Sequence, residues 1–415
     1  VTRPESTGAG RAVPALCAAL LVCACSNTTL DGEALRDPRV TSDGVTLSLL
    51  QPGNYPTAPA PPMGQVRDAA EGGLVESRRM SDFVVMPFQV DPELTPKDRG
   101  RSGVAQNGAA SRALPYSAAA VPLENFVAGF TAAGFLHRPG APRTERDLAN
   151  SVLRLATPAD ATAAVTELAA RTSTVQLEKF STLSPTRLLA IPGHPDTLAY
   201  TTTIDGAHLL FAYTASGPYV LVQKVSSLDA VETAVQLTAA TLDEQIPLIG
   251  RFHPTPVGEV STLPIDPDGL LARTLNPFPG DPLLGRGVSL GIYGPHGYLA
   301  FAGDPADLQR LFAASGVSAV ALTGTNAAYQ TRDQRAATVL ADALTAETRS
   351  EGYSPSGEVP GMPQAECGSK PQPPLKSLRY HCVAAAGRYV ISVHAPQRGA
   401  AEQQLAAQYL MLIAP

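Results

Sequence analysis

Strand and helix signals recur along this chain in matched pairs. One pair is VLRLATPADATAAVTELAAR at 152–171 and YLAFAGDPADLQRLFAASG at 298–316. Each reads as a short apolar strand, a cap, Pro-Ala-Asp, and then apolar residues at helical spacing. The second pair is GPYVLVQKVSSLDAVETAVQLTAATLDEQ at 217–245 and GRYVISVHAPQRGAAEQQLAAQYLMLI at 387–413, again strand then helix. Between the members lie the runs TLAYTTTI (197–204), AHLLFAYT (207–214) and SLRYHCVAA (377–385), which read as further strands. Nearer the start, GVTLSLL (44–50) predicts a strand and 65–80 a helix ending at RRM. A short strand is expected inside SDFVVMPFQVDPEL (81–94), and the Gly/Ser/Arg-rich stretch 98–113 reads as an exposed loop. VPLENFVAGFTAAGFL (121–136) is apolar at near-helical spacing and predicts a helix.

The Pro-Ala-Asp segments carry helix-start chemistry. Thr157 and Asp304 can accept from free N–H groups of the first turn, and Pro158 and Pro305 occupy a position that needs no donor. Asp160 and Asp307 fall three residues after the cap, near the positive end of the helix dipole, so they read as capping residues rather than catalytic acids. Runs of strands with segregated helices predict an α+β fold: two related units of antiparallel sheet with helices packed on one face. The expected division is a signal peptide at 1–24, a polar tether at 25–44, one α+β domain at 45–251, a Pro-rich linker at 252–284 and a second α+β domain at 285–415. The Pro-rich stretch 350–375 reads as a long loop.

Composition changes this picture at the amino terminus. Apolar residues run from Val13 to Ala24, interrupted by Pro14. That is too short for a bilayer-spanning helix, which needs about 20 residues. With Arg3 and Arg11 before the run and Ala24 at its end, the segment predicts a cleaved signal peptide. Val22-Cys23-Ala24-Cys25 resembles the bacterial lipobox, which implies that Cys25 becomes the lipidated first residue. Several acyl chains at one Cys anchor stably, at about 0.8 kcal/mol per buried methylene. With Cys17 and Cys23 removed and Cys25 carrying lipid, Cys367 and Cys382 remain, and outside the cytoplasm they are expected to pair. The loop between them predicts about 3 kcal/mol in the chain-entropy model. A net charge of −6 argues against a nucleic-acid partner.

Four stretches together resemble a family of actinobacterial cell-envelope lipoproteins, found in nocardiae and mycobacteria, whose domain has no assigned function. They are QPGNYPTAP (51–59), SRRMSDFVVMPFQVDPEL (77–94), GRYV (387–390) and AEQQLAAQYLMLI (401–413). The resemblance implies an envelope protein anchored on the outer face of the plasma membrane, and it brings no catalytic residues. The motifs themselves read structurally. Gly53-Asn54-Tyr55-Pro56 is turn chemistry. Leu405, Leu412, Tyr409 and Ile413 predict a buried stripe on the last helix, with the Tyr409 hydroxyl satisfied inside the core.

One catalytic pattern occurs. Gly287-Val288-Ser289-Leu290-Gly291 satisfies G-x-S-x-G, and Asp304 or Asp307 with His381 or His394 would complete a triad in chain order. Ser289 would need a strand before it and a helix after it, whereas NPFPGDPLLGRG precedes it and the Pro/Gly turn of IYGPHGYLAF follows. The seven His residues are scattered, with no metal-binding spacing, and no phosphate-cradling loop occurs, so no cofactor or metal is expected. Asp243-Glu244 reads as solvated, His296 as exposed in a turn, and Arg78-Arg79 as a pair able to touch anionic headgroups. The resulting expectation is a lipid-anchored envelope protein with a non-catalytic binding or assembly role, its partner an envelope lipid or an envelope protein. The alternative is an extracytoplasmic serine hydrolase using Ser289.

Overall fold

In the strand GPYVLVQKVSS every second apolar side chain faces one helix and the intervening ones face another, so the strand is buried on both sides. That pattern holds for the central strands of both sheets. The structure, a computed structural model, describes residues 40–96, 102–107, 111, 113–277, 290–371 and 378–414. Helix α1 (Ala69–Ser81) and the short α2 (Pro87–Val90) come first. The first sheet is built from β1 (Gly103–Val104), β2 (Phe126–Leu136) and β3 (Arg146–Leu155), followed by β6 (Arg187–Leu189), β7 (Leu198–Ile204), β8 (Ala207–Ser216) and β9 (Tyr219–Ser227). Its order is β1-β2-β3-β9-β8-β7-β6, all antiparallel. The short α3 (Tyr116–Ala119) precedes β2, and α4 (Pro158–Arg171) follows β3. A small pair, β4 (Thr174–Val175) with β5 (Ser184–Pro185), leads into β6, and α5 (Val231–Ile249) closes this half.

The second sheet repeats the plan. It contains β10 (Leu290–Tyr293), β11 (Ala319–Thr323), β12 (Asn326–Gln330), β13 (Ser354–Pro355), β14 (Glu366–Ser369), β15 (Tyr380–Ala386) and β16 (Tyr389–Ala395). Their order is β10-β11-β12-β16-β15-β14-β13, also antiparallel. The short α6 (Pro295–Tyr298) and α7 (Pro305–Ser315) lie between β10 and β11; α8 (Gln334–Ser350) follows β12, and α9 (Arg398–Ile413) follows β16. Each half is therefore an edge strand, a hairpin, a helix, a four-strand meander and a closing helix. The α+β expectation of two antiparallel sheets holds.

The helical layers differ from the expectation of one per sheet. In the first half, Ala161, Val165 and Leu168 of α4 pack with Leu153, Phe211, Tyr213 and Val222. Leu237 and Leu242 of α5 pack on the other face with Phe130, Val152, Leu210 and Leu221. In the second half, α8 contributes Leu340 and Leu344 against Leu322, Tyr329 and Val390. On its opposite face, α9 contributes Leu405, Tyr409 and Leu412 against Ala384, Ile391 and Val393. The α5 face of one sheet and the α8 face of the other share one continuous core, into which α1 inserts Met80. Phe130 of β2 meets Phe301 edge-on at 6.4 Å within that core.

Several local expectations are corrected. Within 121–136, Phe126–Leu136 form strand β2 rather than a helix. Strands buried on both faces have near-continuous apolar sequences, so their two-residue period is hidden. GVTLSLL carries only the bridge Thr46 makes with Val40 and a 3-10 turn at Leu47–Leu49. No strand forms inside 81–94, because side chains satisfy that backbone. Gln245 Oε1 accepts from the Val85 N–H at 2.9 Å, and Asn150 Nδ2 donates to the Val85 carbonyl at 3.0 Å. Gln245 Nε2 also donates to the Phe83 carbonyl at 2.9 Å. The expected strand at 298–301 is helical, and the expected loop 350–375 contributes β13 and β14. Within the expected exposed loop 98–113, Gly103 and Val104 form a buried edge strand.

Segments cross between the halves. Tyr409 of α9 donates to Asp43 Oδ1 at 2.7 Å, and its hydroxyl also bonds the Thr41 hydroxyl at 2.9 Å. Gln404 Nε2 donates to the Tyr55 hydroxyl at 3.1 Å. The Gly53–Tyr55 turn forms as expected, with the Tyr55 N–H on the Pro52 carbonyl at 3.2 Å. The predicted stripe on α9 is buried at Leu405, Tyr409 and Leu412, while Ile413 is exposed at its end. Leu270 and Leu271 pack in the α9 core, so the described part of 252–284 is partly interior.

Candidate functional site

Helix α1 begins on an Asp68 cap that accepts from the Glu71 N–H at 2.8 Å and ends beside β10. Its last turns place Val75, Arg78 and Arg79 on one side, with Asp82 and Phe83 just beyond. Phe252, Leu263 and Ile265, arriving after α5, and Ile292 of β10 complete an apolar cleft of about 420 Å³. Phe83 and Phe252 pack ring against ring at 5.2 Å to form part of its wall. This cleft lies where elements of the two halves meet.

Beneath it sits a buried ionic network. Glu76 is fully buried and accepts from Arg154 Nη1 at 2.6 Å and Arg79 Nη1 at 2.5 Å. The Thr255 N–H and hydroxyl add bonds at 2.8 and 3.0 Å. A carboxylate with four donors is a satisfied one, which the interior requires of a buried charge. Arg79 also lies over the Phe252 ring at 5.7 Å. Arg78 is different. Among the described residues no carboxylate pairs with it, and its Nε is buried with no hydrogen-bond partner. Its guanidinium bonds the Tyr293 phenol, whose pKa burial pushes up while the charge and hydrogen bond of Arg78 pull it back.

Asp82 stands on the same rim. Its carboxylate accepts from the Gly297 N–H at 2.6 Å. Burial raises its pKa, opposed by that hydrogen bond and by His296. A second cleft of about 670 Å³, lined by Gln89, Glu244, Arg251 and His296, shares Asp82. Close approach here depends on glycines. A Cβ on Gly291 would fall 2.4 Å from Arg78 Nε, and one on Gly294 only 1.6 Å from Asp82 Oδ2. Gly291 also has φ of +139°, which side-chain-bearing residues avoid.

Gly291 is the closing glycine of GVSLG, and its structural use is to admit Arg78. Cys25 and Ser289 lie outside the described residues. The residues after Ser289 form strand β10 rather than a helix. Asp304 and Asp307 start α7, the Asp307 N–H donating to Asp304 Oδ1 at 3.0 Å. Thr157 and Asp160 form the capping box of α4. His381 and His394 stack at 3.9 Å inside the second half. The ring nitrogens of His381 engage Thr348 and Ser392 hydroxyls, each at 2.8 Å, and His394 Nδ1 engages the Thr325 carbonyl at 3.0 Å. His296 is half-buried rather than exposed, with Nε2 on the Val84 carbonyl at 3.0 Å. Asp243 is largely exposed and meets His194 Nε2 at 3.0 Å. Cys367 and Cys382 oppose each other across β14 and β15 with sulfurs 2.01 Å apart, at disulfide distance.

Two family models match, one to residues 63–265, described as the N-terminal domain of unknown function DUF7373, and one to residues 270–414, described as its C-terminal partner. The chain belongs to the DUF7373 family. Both DUF7373 matches contribute to the cleft: Ile292 and Gly294 fall in the second and the other lining residues in the first, except Pro267, which lies between the two. No curated protein matches the chain. Among solved structures, the extracellular domain of PknH from Mycobacterium tuberculosis has a TM-score of 0.29 at 17% identity, covering 41% of this chain and 95% of that one. No helix among the described residues is long and apolar enough to cross a membrane.

Sequence reading singled out Arg78-Arg79 but missed Glu76, Arg154 and Asp82. One signal existed: Arg154 interrupts the apolar strand VLRLA, and a lone charge in a buried strand needs a partner. Nothing local marks Phe252, Ile265 or Ile292 as neighbours, because the cleft wall is assembled from segments far apart in the chain.

Proposed function

We propose that this protein is an actinobacterial cell-envelope lipoprotein, held at the outer face of the plasma membrane through lipid on Cys25, that binds an apolar ligand without catalysis. The observation that carries the binding reading is the apolar cleft of about 420 Å³ between the α1 end, the 252–265 segment and β10. Small-molecule sites commonly fall in the range of about 300–1,000 Å³ and favour places where structural units meet. A carrier for a complete multi-chain envelope lipid needs about 1,000 Å³ or more. The cleft therefore suits a ligand with one apolar chain better than a whole membrane lipid.

Mass spectrometry of lipids extracted from protein purified from its own organism tests this reading. A stoichiometric single-chain amphiphile is the expected result. A clean protein that captures one specific envelope protein on crosslinking favours assembly instead. Turnover of an envelope substrate that disappears in Ser289→Ala favours the hydrolase. Replacing Cys25 by Ala is expected to shift the protein out of the membrane fraction, and unchanged membrane retention defeats the anchor.

A further inference from the structure

Resting on that cleft reading, we infer that the site selects an anionic head group, a carboxylate or a phosphate carried on a single apolar chain, and that Arg78 reads it. Two guanidiniums, those of Arg78 and Arg79, line the cleft with one carboxylate, that of Asp82, and Arg79 continues into the buried Glu76–Arg154 pair. Glu76 is occupied by Arg79 and Arg154. Asp82 turns to the Gly297 N–H. Arg78 thus lines the cleft with no carboxylate partner among the described residues; its guanidinium bonds the Tyr293 hydroxyl, while its Nε is buried and unbonded. A desolvated donor without an acceptor is costly, and a guanidinium offers a planar fork that matches a carboxylate or phosphate. Strand β10 is open at this point, because Gly291 has no side chain to meet Arg78. Phe83, Phe252, Leu263, Ile265 and Ile292 provide the apolar wall beside that fork.

Calorimetric titration of the full chain with dodecanoate, dodecyl phosphate, 1-dodecanol and inorganic phosphate separates the possibilities. The anionic amphiphiles are expected to bind at least about ten-fold tighter than the alcohol, the size of one charge-assisted hydrogen bond. Added salt is expected to weaken the anions and leave the alcohol unchanged, a readout that needs no variant. Arg78→Gln is expected to bring dodecanoate to the affinity of the alcohol, while Arg78→Lys keeps part of the preference. Equal binding of alcohol and anions, insensitive to salt, overturns the anion inference and leaves the cleft reading standing. Inorganic phosphate binding as tightly as dodecyl phosphate overturns the amphiphile and assigns a free-anion site. Failure of all four probes overturns both readings.

Discussion

At the scale of single residues, the ionic network under the cleft is the most exposed to mutation. Glu76 and Arg154 are both almost wholly excluded from water. Replacing Glu76 by Gln leaves Arg154 buried without its counter-charge, and such losses cost about 3–5 kcal/mol. Urea unfolding is expected to show that drop, and a change below about 1 kcal/mol refutes the buried-pair account. Asp82 acts in the opposite sense. Burial raises its pKa above the ordinary 3.8, so the folded protein holds that proton more tightly than the unfolded chain does. Stability contributed this way is present at low pH and is lost as pH rises from the ordinary value through the folded one. Asp82→Asn cannot ionise and its Oδ1 can still accept from Gly297. Its stability relative to the parent is therefore expected to be more favourable at pH 7 than at pH 4. Equal differences at the two pH values remove the basis for a raised carboxyl.

At the scale of elements, the cross-strand cysteines connect β14 to β15, inside the edge strand β13 of the second sheet. Closing a loop of 15 residues contributes about 3 kcal/mol in the chain-entropy model. Cys367→Ala with Cys382→Ala is expected to lose about that amount, read from urea midpoints under oxidising conditions. Non-reducing peptide mapping that finds two free thiols contradicts the bridge itself. Elements with their own local signals were legible. Helices α4 and α7 announce themselves by a cap and Pro-Ala-Asp, and β9-α5 and β16-α9 by strand-then-helix runs. Strand β2 was not, because Phe130 and Phe135 are buried on opposite faces and no polar side marks the period. The repeat was half legible. The pairing of 217–245 with 387–413 matches β9-α5 with β16-α9. The counterpart of β3-α4, however, is β12-α8, whose cap is Asp333 accepting from the Ala336 N–H at 2.8 Å. It lacks Pro-Ala-Asp, and the chance likeness of 298–316 drew the pairing away. The candidate site was legible only as Arg78-Arg79, since its apolar walls come from distant parts of the chain.

At the scale of the molecule, the two halves are two sequence domains but share one interior. Side chains from both sheets, among them Phe130, Leu210 and Leu221 from the first and Tyr293, Leu322 and Val390 from the second, form one hydrophobic cluster. The segment ahead of the first half also covers the second. Thr41 and Asp43, ahead of the first half, bond to Tyr409 of α9, and Tyr55 bonds to Gln404 of the same helix. Cutting the chain between residues 265 and 270 would expose the shared face of each sheet, including α8 on one side and α5 on the other. Each buried large apolar side chain returned to water forfeits about 1.5–3 kcal/mol, and several such losses equal the whole stability of an ordinary domain. Residues 63–265 and 270–414 expressed separately are therefore expected to lack a cooperative transition. The intact chain is expected to unfold in one calorimetric step, with matching transitions by near-UV dichroism of its tyrosines and by far-UV dichroism. Two resolved steps, or an isolated half that melts sharply at the temperature of one of them, would show that the common core does not couple the halves. The inter-half cleft would then join two independent bodies.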